Sequence, residues 1–312
     1  MTRREFLGNG ISGFIALQLP IQPCTGRVVR AAVITDVHHG LAPDATARFD
    51  SFLSATRKRS NLDFALQMGD FCNPGDASKD FVKSWRDLDL PKINVLGNHD
   101  MDRGTKRHIM DHWGMPTRFG SYEFGGFRFV VLDLNHFRKG KDLTPYAYGN
   151  YFAGGITHNW ADQEQLQWLK RELSKATKPV ILISHQPIGF TTPGNALPPE
   201  QEEIFDTVLS AKKSNPRGAV VACLCGHMHV DRLETVHGIP CICINSASYF
   251  WGGGMYPYRH PLYAFLEFDP SGELRIHGRK SEFVRQPTVE AEGRSASISD
   301  YRVRLSRVGG WS

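Results

Sequence analysis

Five short apolar runs in this chain each lead into a polar residue able to bind a metal ion, and stretches of helical periodicity stand between them. The runs are Val28–Thr35 before Asp36, Phe64–Met68 before Gly69-Asp70, Lys92–Leu96 before Gly97-Asn98-His99-Asp100, Pro179–Ile183 before Ser184-His185, and Ala219–Leu224 before Gly226-His227-Met228-His229. Runs this short and apolar read as strands. Between them, Asp44–Arg59, Asp76–Leu90, Ala161–Ala176 and Glu200–Lys213 carry apolar residues at helical spacing, the second stopped by Pro91. Alternating strand and helix predicts an α/β fold. In open sheets of that class, sites form beyond the carboxyl ends of the strands. The five polar termini are therefore expected to converge, although Asp36 and His229 stand at opposite ends of the series.

The remaining signals are simpler. Tyr122–Phe124 and Phe127–Leu134, joined by Gly125-Gly126, read as a β-hairpin. Arg232–Val236, Ile239–Ile244, Leu262–Phe268 and Glu273–His277 resemble antiparallel strands. Residues 281–312 are polar with scattered valines and are expected to lie extended on the surface. The folded body is accordingly placed at residues 27–280.

Residues 1–26 are set apart. Thr2-Arg3-Arg4-Glu5-Phe6-Leu7 looks like the core of a twin-arginine export signal, followed by a mildly apolar stretch from Ile11 to Leu19 diluted by Gly13. That stretch is too short to span a bilayer, which needs about 20 apolar residues. Export to the periplasm or beyond is the expectation, with Cys24 a candidate for lipid attachment. Nothing later in the chain is long and apolar enough to span a membrane.

The motifs in chain order are Asp36-Val37-His38, Gly69-Asp70, Gly97-Asn98-His99-Asp100, Ser184-His185 and Gly226-His227-Met228-His229. This series resembles the calcineurin-like metallophosphoesterase superfamily, whose blocks are D-x-H, G-D, G-N-H-[DE], H and G-H-x-H. A single G-D carries nothing; five blocks in order, each after a strand-like run, carry a great deal. The resemblance implies a four-layer α-β-β-α sandwich of two mixed sheets. It also implies two divalent cations: Asp36, His38 and His229 on the first, Asn98, His185 and His227 on the second, and Asp70 between them. Hydroxide held between the cations would then attack a phosphomono- or phosphodiester. The helix at Gln163–Leu169, followed by a strand and His185, is similar to bacterial cyclic-nucleotide-phosphodiesterase-like members.

The chemistry of the residues agrees. Mixed carboxylate and imidazole donors suit Mn, Fe, Co or Zn rather than Mg or Ca. A carboxylate between two cations offsets their repulsion, and a water between them can ionise near neutral pH. Asn98 offers a neutral oxygen to metal or substrate. His99 is expected to contact the phosphate or protonate the leaving oxygen. Many relatives orient this histidine with an aspartate three residues after the bridging one, where this chain has Asn73. Asn73 and Asp100 are the candidates to hold His99. Purple acid phosphatases carry a tyrosine at the place of Asn73, so the motif differs from theirs.

A net charge of +5 fits an anionic substrate but names no partner, and no basic run interleaved with aromatics points to nucleic acid. Two other readings share the motifs: a module that binds metal or phosphate without turnover, and a nuclease of the same superfamily. Four of the six cysteines form C-x-C pairs, Cys223 with Cys225 and Cys241 with Cys243. They read as small buried hydrophobes rather than a disulfide or thiolate site. His39, beside a ligand candidate, and the aromatic loop at Trp251–Tyr256 are further candidates for substrate contact.

Overall fold

The computed structural model describes residues 26–193, 196–251, 254–287 and 294–306. The twin-arginine motif and Cys24 lie outside the described residues. The strands are β1 (Val29–Ile34), β2 (Phe64–Gln67), β3 (Lys92–Asn94), β4 (Gly120–Phe124), β5 (Phe127–Val131), β6 (His136–Lys139), β7 (Asp142–Pro145) and β8 (Val180–Ile183). They continue with β9 (Val220–Cys225), β10 (Arg232–Val236), β11 (Ile239–Cys243), β12 (Tyr249–Trp251), β13 (Met255–Pro257), β14 (Ala264–Asp269), β15 (Glu273–His277) and β16 (Tyr301–Arg304). The helices are α1 (Ala45–Arg57), α2 (Lys79–Arg86), α3 (Lys106–Trp113), α4 (Gln163–Lys175) and α5 (Pro199–Ser214).

Two six-stranded mixed sheets result, ordered β16-β15-β14-β1-β2-β3 and β10-β11-β9-β8-β5-β4. The period of two in the strands decides how they stack. In β1, Val29, Ala31 and Val33 face the core between the sheets, while Ala32 and Ile34 face the layer containing α1, α2 and α3. In β8, Ile181 and Ile183 face inward, and Val180 and Leu182 meet α4 and α5. Both sheets are thus apolar on both faces, which produces the expected α-β-β-α layering.

A bulge adjusts this parity in β9. The β8–β9 register shifts between Val180 and Ile181, so Val221 and Ala222 both face the inner core. Cys223 and Cys225 then turn outward, directly opposite Cys241 and Cys243 of β11. All four thiols are buried and free, filling space against the helices as small apolar groups.

The C-terminal segment departs from its expected course over the surface. β16 pairs antiparallel with β15 as an edge strand, and Ala296, Ile298, Val303 and Leu305 are buried between the sheets. Helix α2 is also shorter than its periodicity suggests. Residues 87–90 turn away after Arg86, and Lys92 Nζ binds the Leu90 carbonyl at 2.9 Å. No helix among the described residues is long and apolar enough to cross a membrane.

Candidate metal centre

The residues after β1, β2, β3, β8 and β9 meet where the carboxyl ends of the two sheets face each other. Two clusters of donor atoms form there, Asp36, His38, Asp70 and His229, and Asp70, His185 and His227. Each could hold a cation, and Asp70 belongs to both.

Backbone conformation aims these side chains. Asp36, His38, Asp70, His227 and His229 all lie in the left-handed region, with φ between 50° and 65°. Such a conformation costs a non-glycine residue about 1–2 kcal/mol, and clustered strain of this kind marks functional sites. Inter-loop bonds hold it: Asp36 N donates to Gly69 O at 3.0 Å, His38 N to Asp70 O at 2.8 Å, and Gly226 N to His185 O at 3.0 Å. Two glycines allow the close approach. A Cβ on Gly97 would meet the Asp70 backbone, and one on Gly226 would meet Thr35 Oγ1 and the Asp36 carboxylate.

Two of the imidazoles present a defined nitrogen. His185 Nδ1 and His229 Nδ1 donate to the carbonyls of Met68 and Tyr249, both at 2.7 Å, which leaves each Nε2 lone pair for the cavity. Around the first cluster, His229 Nε2 stands 2.9 Å from Asp36 Oδ1 and 3.2 Å from His38 Nε2. Around the second, His185 Nε2 stands 3.1 Å from Asp70 Oδ2 and 3.3 Å from His227 Nδ1. Donors about 2.1 Å from a shared cation stand roughly 3.0–3.4 Å apart in tetrahedral or octahedral geometry. His38 is looser, its Nε2 lying 3.8 Å from both Asp36 and Asp70.

Buried oxygens supply the sharper test. Asp70 Oδ1 accepts the His99 amide at 2.8 Å, and its buried Oδ2 faces only the ring nitrogens of His185 at 3.1 Å and His38 at 3.8 Å, while Asn98 Oδ1 is buried without a hydrogen-bond donor. A buried acceptor left bare costs about 1–3 kcal/mol; a cation would satisfy Asn98 Oδ1 and, beside Asp70 Oδ2, would take the place of the histidine proton. The residues present therefore fit two divalent cations. Electrostatics agrees in sign. Burial raises the carboxyl pKa values, yet the surrounding histidines hold Asp36 and Asp70 below the ordinary range. Burial likewise opposes charge on His185, but Asp70 and Asp36 raise its pKa to about 10, so in the metal-free chain a proton takes the place of a cation there and metal binding would release it. Burial pushes His38 down to about 3 and His227 to about 4.

His99 lies beside the donors without belonging to either cluster. Its Nδ1 is 2.9 Å from Asp102 Oδ2 and 3.0 Å from Tyr151 Oη, and the Tyr151 hydroxyl donates to Asp102 Oδ1. Burial opposes its charge, but Asp70 and the bond to Asp102 raise its pKa to about 9. The partners expected from sequence are elsewhere. Asn73 Oδ1 accepts the Arg103 amide at 3.2 Å. Asp100 accepts the amides of Asp70, Phe71, Cys72 and Gly97, at 2.7–3.1 Å. It braces the loops that carry Asp70 and Asn98 rather than orienting the histidine.

A cavity of about 180 Å³ opens onto the clusters, lined by Asp70, His99, His227, Met228, His229, Trp251 and Arg294. Trp251 stacks edge-on to His38, ring centres 4.5 Å apart. His39 stacks instead on Phe81 at 4.3 Å and does not line this cavity. A larger groove of about 1080 Å³ lies along α5 and β10 and shares no lining residue with it. The small cavity is the one lined by members of the two donor clusters.

Comparison with known proteins agrees with this geometry. The sequence pattern of the family described as calcineurin-like phosphoesterase matches residues 29–231, more than half of the chain. No curated protein matches the sequence. Among solved structures, the chain is similar to the purple acid phosphatase PPD1 from yellow lupin, at 14% identity and a TM-score of 0.51. That match covers 90% of this chain but only 55% of the lupin enzyme. It is similar also to GAP50 of Plasmodium, at 14% identity and a TM-score of 0.53, covering 90% of this chain and 89% of that one. At such identities the likeness is one of fold.

Proposed function

The chain belongs to the calcineurin-like phosphoesterase family, and on that footing we propose that it hydrolyses phosphate esters with two divalent cations. One observation carries the reading: Asp70 is common to both donor clusters, beside a buried Asn98 Oδ1 that has no partner. Asp36, His38 and His229 would hold one cation, Asn98, His185 and His227 the other, and Asp70 both. When bound, the cations supply Lewis acidity and a hydroxide nucleophile at neutral pH. The nitrogen-rich donor set favours Mn, Fe, Co or Zn.

The chain's own residues supply the rest. His99 lines the cavity, and its Nδ1 is fixed by Asp102 and Tyr151, so Nε2 is the nitrogen available to a leaving oxygen. A carboxylate on Nδ1 favours the imidazolium, the form that can release a proton. Asp100 keeps the loops bearing Asp70 and Asn98 in register.

A non-catalytic reading remains the alternative, since GAP50 of Plasmodium, of the same fold, is described as an anchor in the inner membrane complex. Turnover decides between them. Purified protein stripped by chelator and reloaded with Mn²⁺ is expected to hydrolyse p-nitrophenyl phosphate, bis-(p-nitrophenyl) phosphate or a cyclic nucleotide; metal uptake without turnover on any of them would favour the anchor-like reading. The cyclic arm is included because of the resemblance at Gln163–Leu169.

Location is a separate proposal. The Thr2–Leu7 motif is read as a twin-arginine export signal, so Lys at both Arg3 and Arg4 should leave the precursor in the cytoplasm. Normal appearance of the double variant in the periplasmic fraction would remove that assignment.

A further inference from the structure

The C-terminal segment reaches the catalytic cavity. Asn245 Nδ2 donates to the carbonyls of Ser295 and Ser297, at 2.7 and 3.2 Å. Ala296 and Ile298 are buried between the sheets. These contacts fix the backbone next to Arg294. The Arg294 guanidinium lies over Phe250, 4.3 Å from the ring centre, and donates from Nη1 to the Met228 carbonyl at 2.8 Å. Met228 stands between His227 and His229. Arg294 therefore shares the cavity wall with Asp70, His99 and Trp251, and no carboxylate among the described residues pairs with it.

We infer that Arg294 is a specificity-determining residue that contacts the substrate phosphate and makes this chain a phosphomonoesterase. The inference rests on the hydrolase reading above. A monoester carries three non-bridging oxygens and nearly two negative charges at neutral pH; a diester has two such oxygens and one charge. Where two cations take up two of the oxygens, a monoester keeps one more, and in a diester that position is esterified. A guanidinium offers several N–H donors in a fork that matches phosphate oxygens. Here one nitrogen is used by Met228, which holds the fork at the cavity wall. A cation placed so adds attraction for the dianion that a diester cannot fully use. The cyclic diesters suggested by the Gln163–Leu169 resemblance are the competing outcome.

The test uses the full-length Mn²⁺-loaded protein and its Arg294→Met and Arg294→Lys variants, with metal content measured in each. Two readouts are taken: kcat/KM on p-nitrophenyl phosphate and on bis-(p-nitrophenyl) phosphate, and the Kd for inorganic phosphate by calorimetry. Wild type should prefer the monoester. Arg294→Met should lose on the order of 10- to 100-fold on the monoester, change little on the diester, and bind phosphate more weakly by a similar factor. Arg294→Lys should recover part of both losses. Equal losses on both esters, a diester preference in wild type, or unchanged phosphate affinity in a methionine variant that keeps its metals would overturn the assignment. Absence of turnover in wild type on both esters and on a cyclic nucleotide would sink the hydrolase reading instead, and the phosphate titration would still decide the arginine contact.

Discussion

Asp70→Ala should empty both halves of the centre and lower ester hydrolysis by at least about 10³-fold, because one side chain belongs to both donor clusters. Replacing His185 or His229 removes a donor from one cluster only. The alanine variant also strips the His99 amide of its acceptor, which stands at 2.8 Å in the wild-type chain. Asp70→Asn separates these effects: the amide oxygen can still receive that bond, but the charge is gone. Metal analysis should therefore find Asp70→Asn depleted in both ions although its loop geometry survives. Thermal unfolding gives a second reading. Cations that bind only the folded state raise its stability by mass action, so Mn²⁺ should raise the wild-type Tm and leave both Asp70 variants almost unmoved. Without added metal the variants should be less stable than wild type at neutral pH, because the surrounding histidines hold the Asp70 carboxyl below its ordinary range and that favourable pairing is lost with the charge. Two ions retained in Asp70→Ala, with near-normal turnover, would show that the bridge has been misplaced.

The convergence of the strand-end residues is readable from sequence because apolar runs and their polar termini are local signals, and chain order does the rest. What holds His99 is not. In a 3₁₀ turn, residues three apart eclipse, and His99–Met101 forms such a turn. Asp102 is thereby placed under His99, while Asp100 swings back to gather four amides. No propensity distinguishes the two aspartates; only the turn type does. Tyr151 arrives from a second 3₁₀ turn some fifty positions on, which no local rule connects to His99. The left-handed backbone at five of the donors was equally silent, because tertiary bonds between loops impose it. The C-terminal strand is hidden for a different reason. Tyr301, Val303 and Leu305 alternate with Arg302 and Arg304, a period-two pattern of the sort a half-buried edge strand shows. The polarity of the surrounding residues conceals it, and nothing local marks Arg294.

His99→Ala should keep both metal ions yet slow hydrolysis by about 10²–10⁴-fold, the range for a general acid. Metal should stay because His99 is absent from both donor clusters. The loss should depend on the alcohol. p-Nitrophenolate leaves as a stable anion and needs little protonation, so an aryl ester should suffer less than an alkyl ester. Asn73 alone would have left His99 with a neutral partner and placed the effect at the low end. Asp102, at 2.9 Å, supplies a carboxylate after all, so a loss towards the upper end is expected on alkyl esters. Asp102→Asn then becomes the informative companion. It keeps an oxygen for Nδ1 but exchanges a charge-assisted bond for a neutral one, so it should lose on the order of ten-fold, again more on the alkyl ester. A purely structural role for Asp102 would lower both esters alike. Equal losses in His99→Ala would turn that residue into a phosphate contact rather than an acid. Loss of an ion in His99→Ala would mean that it ligates metal, and one of His38, His185, His227 or His229 would have to give up its place to it.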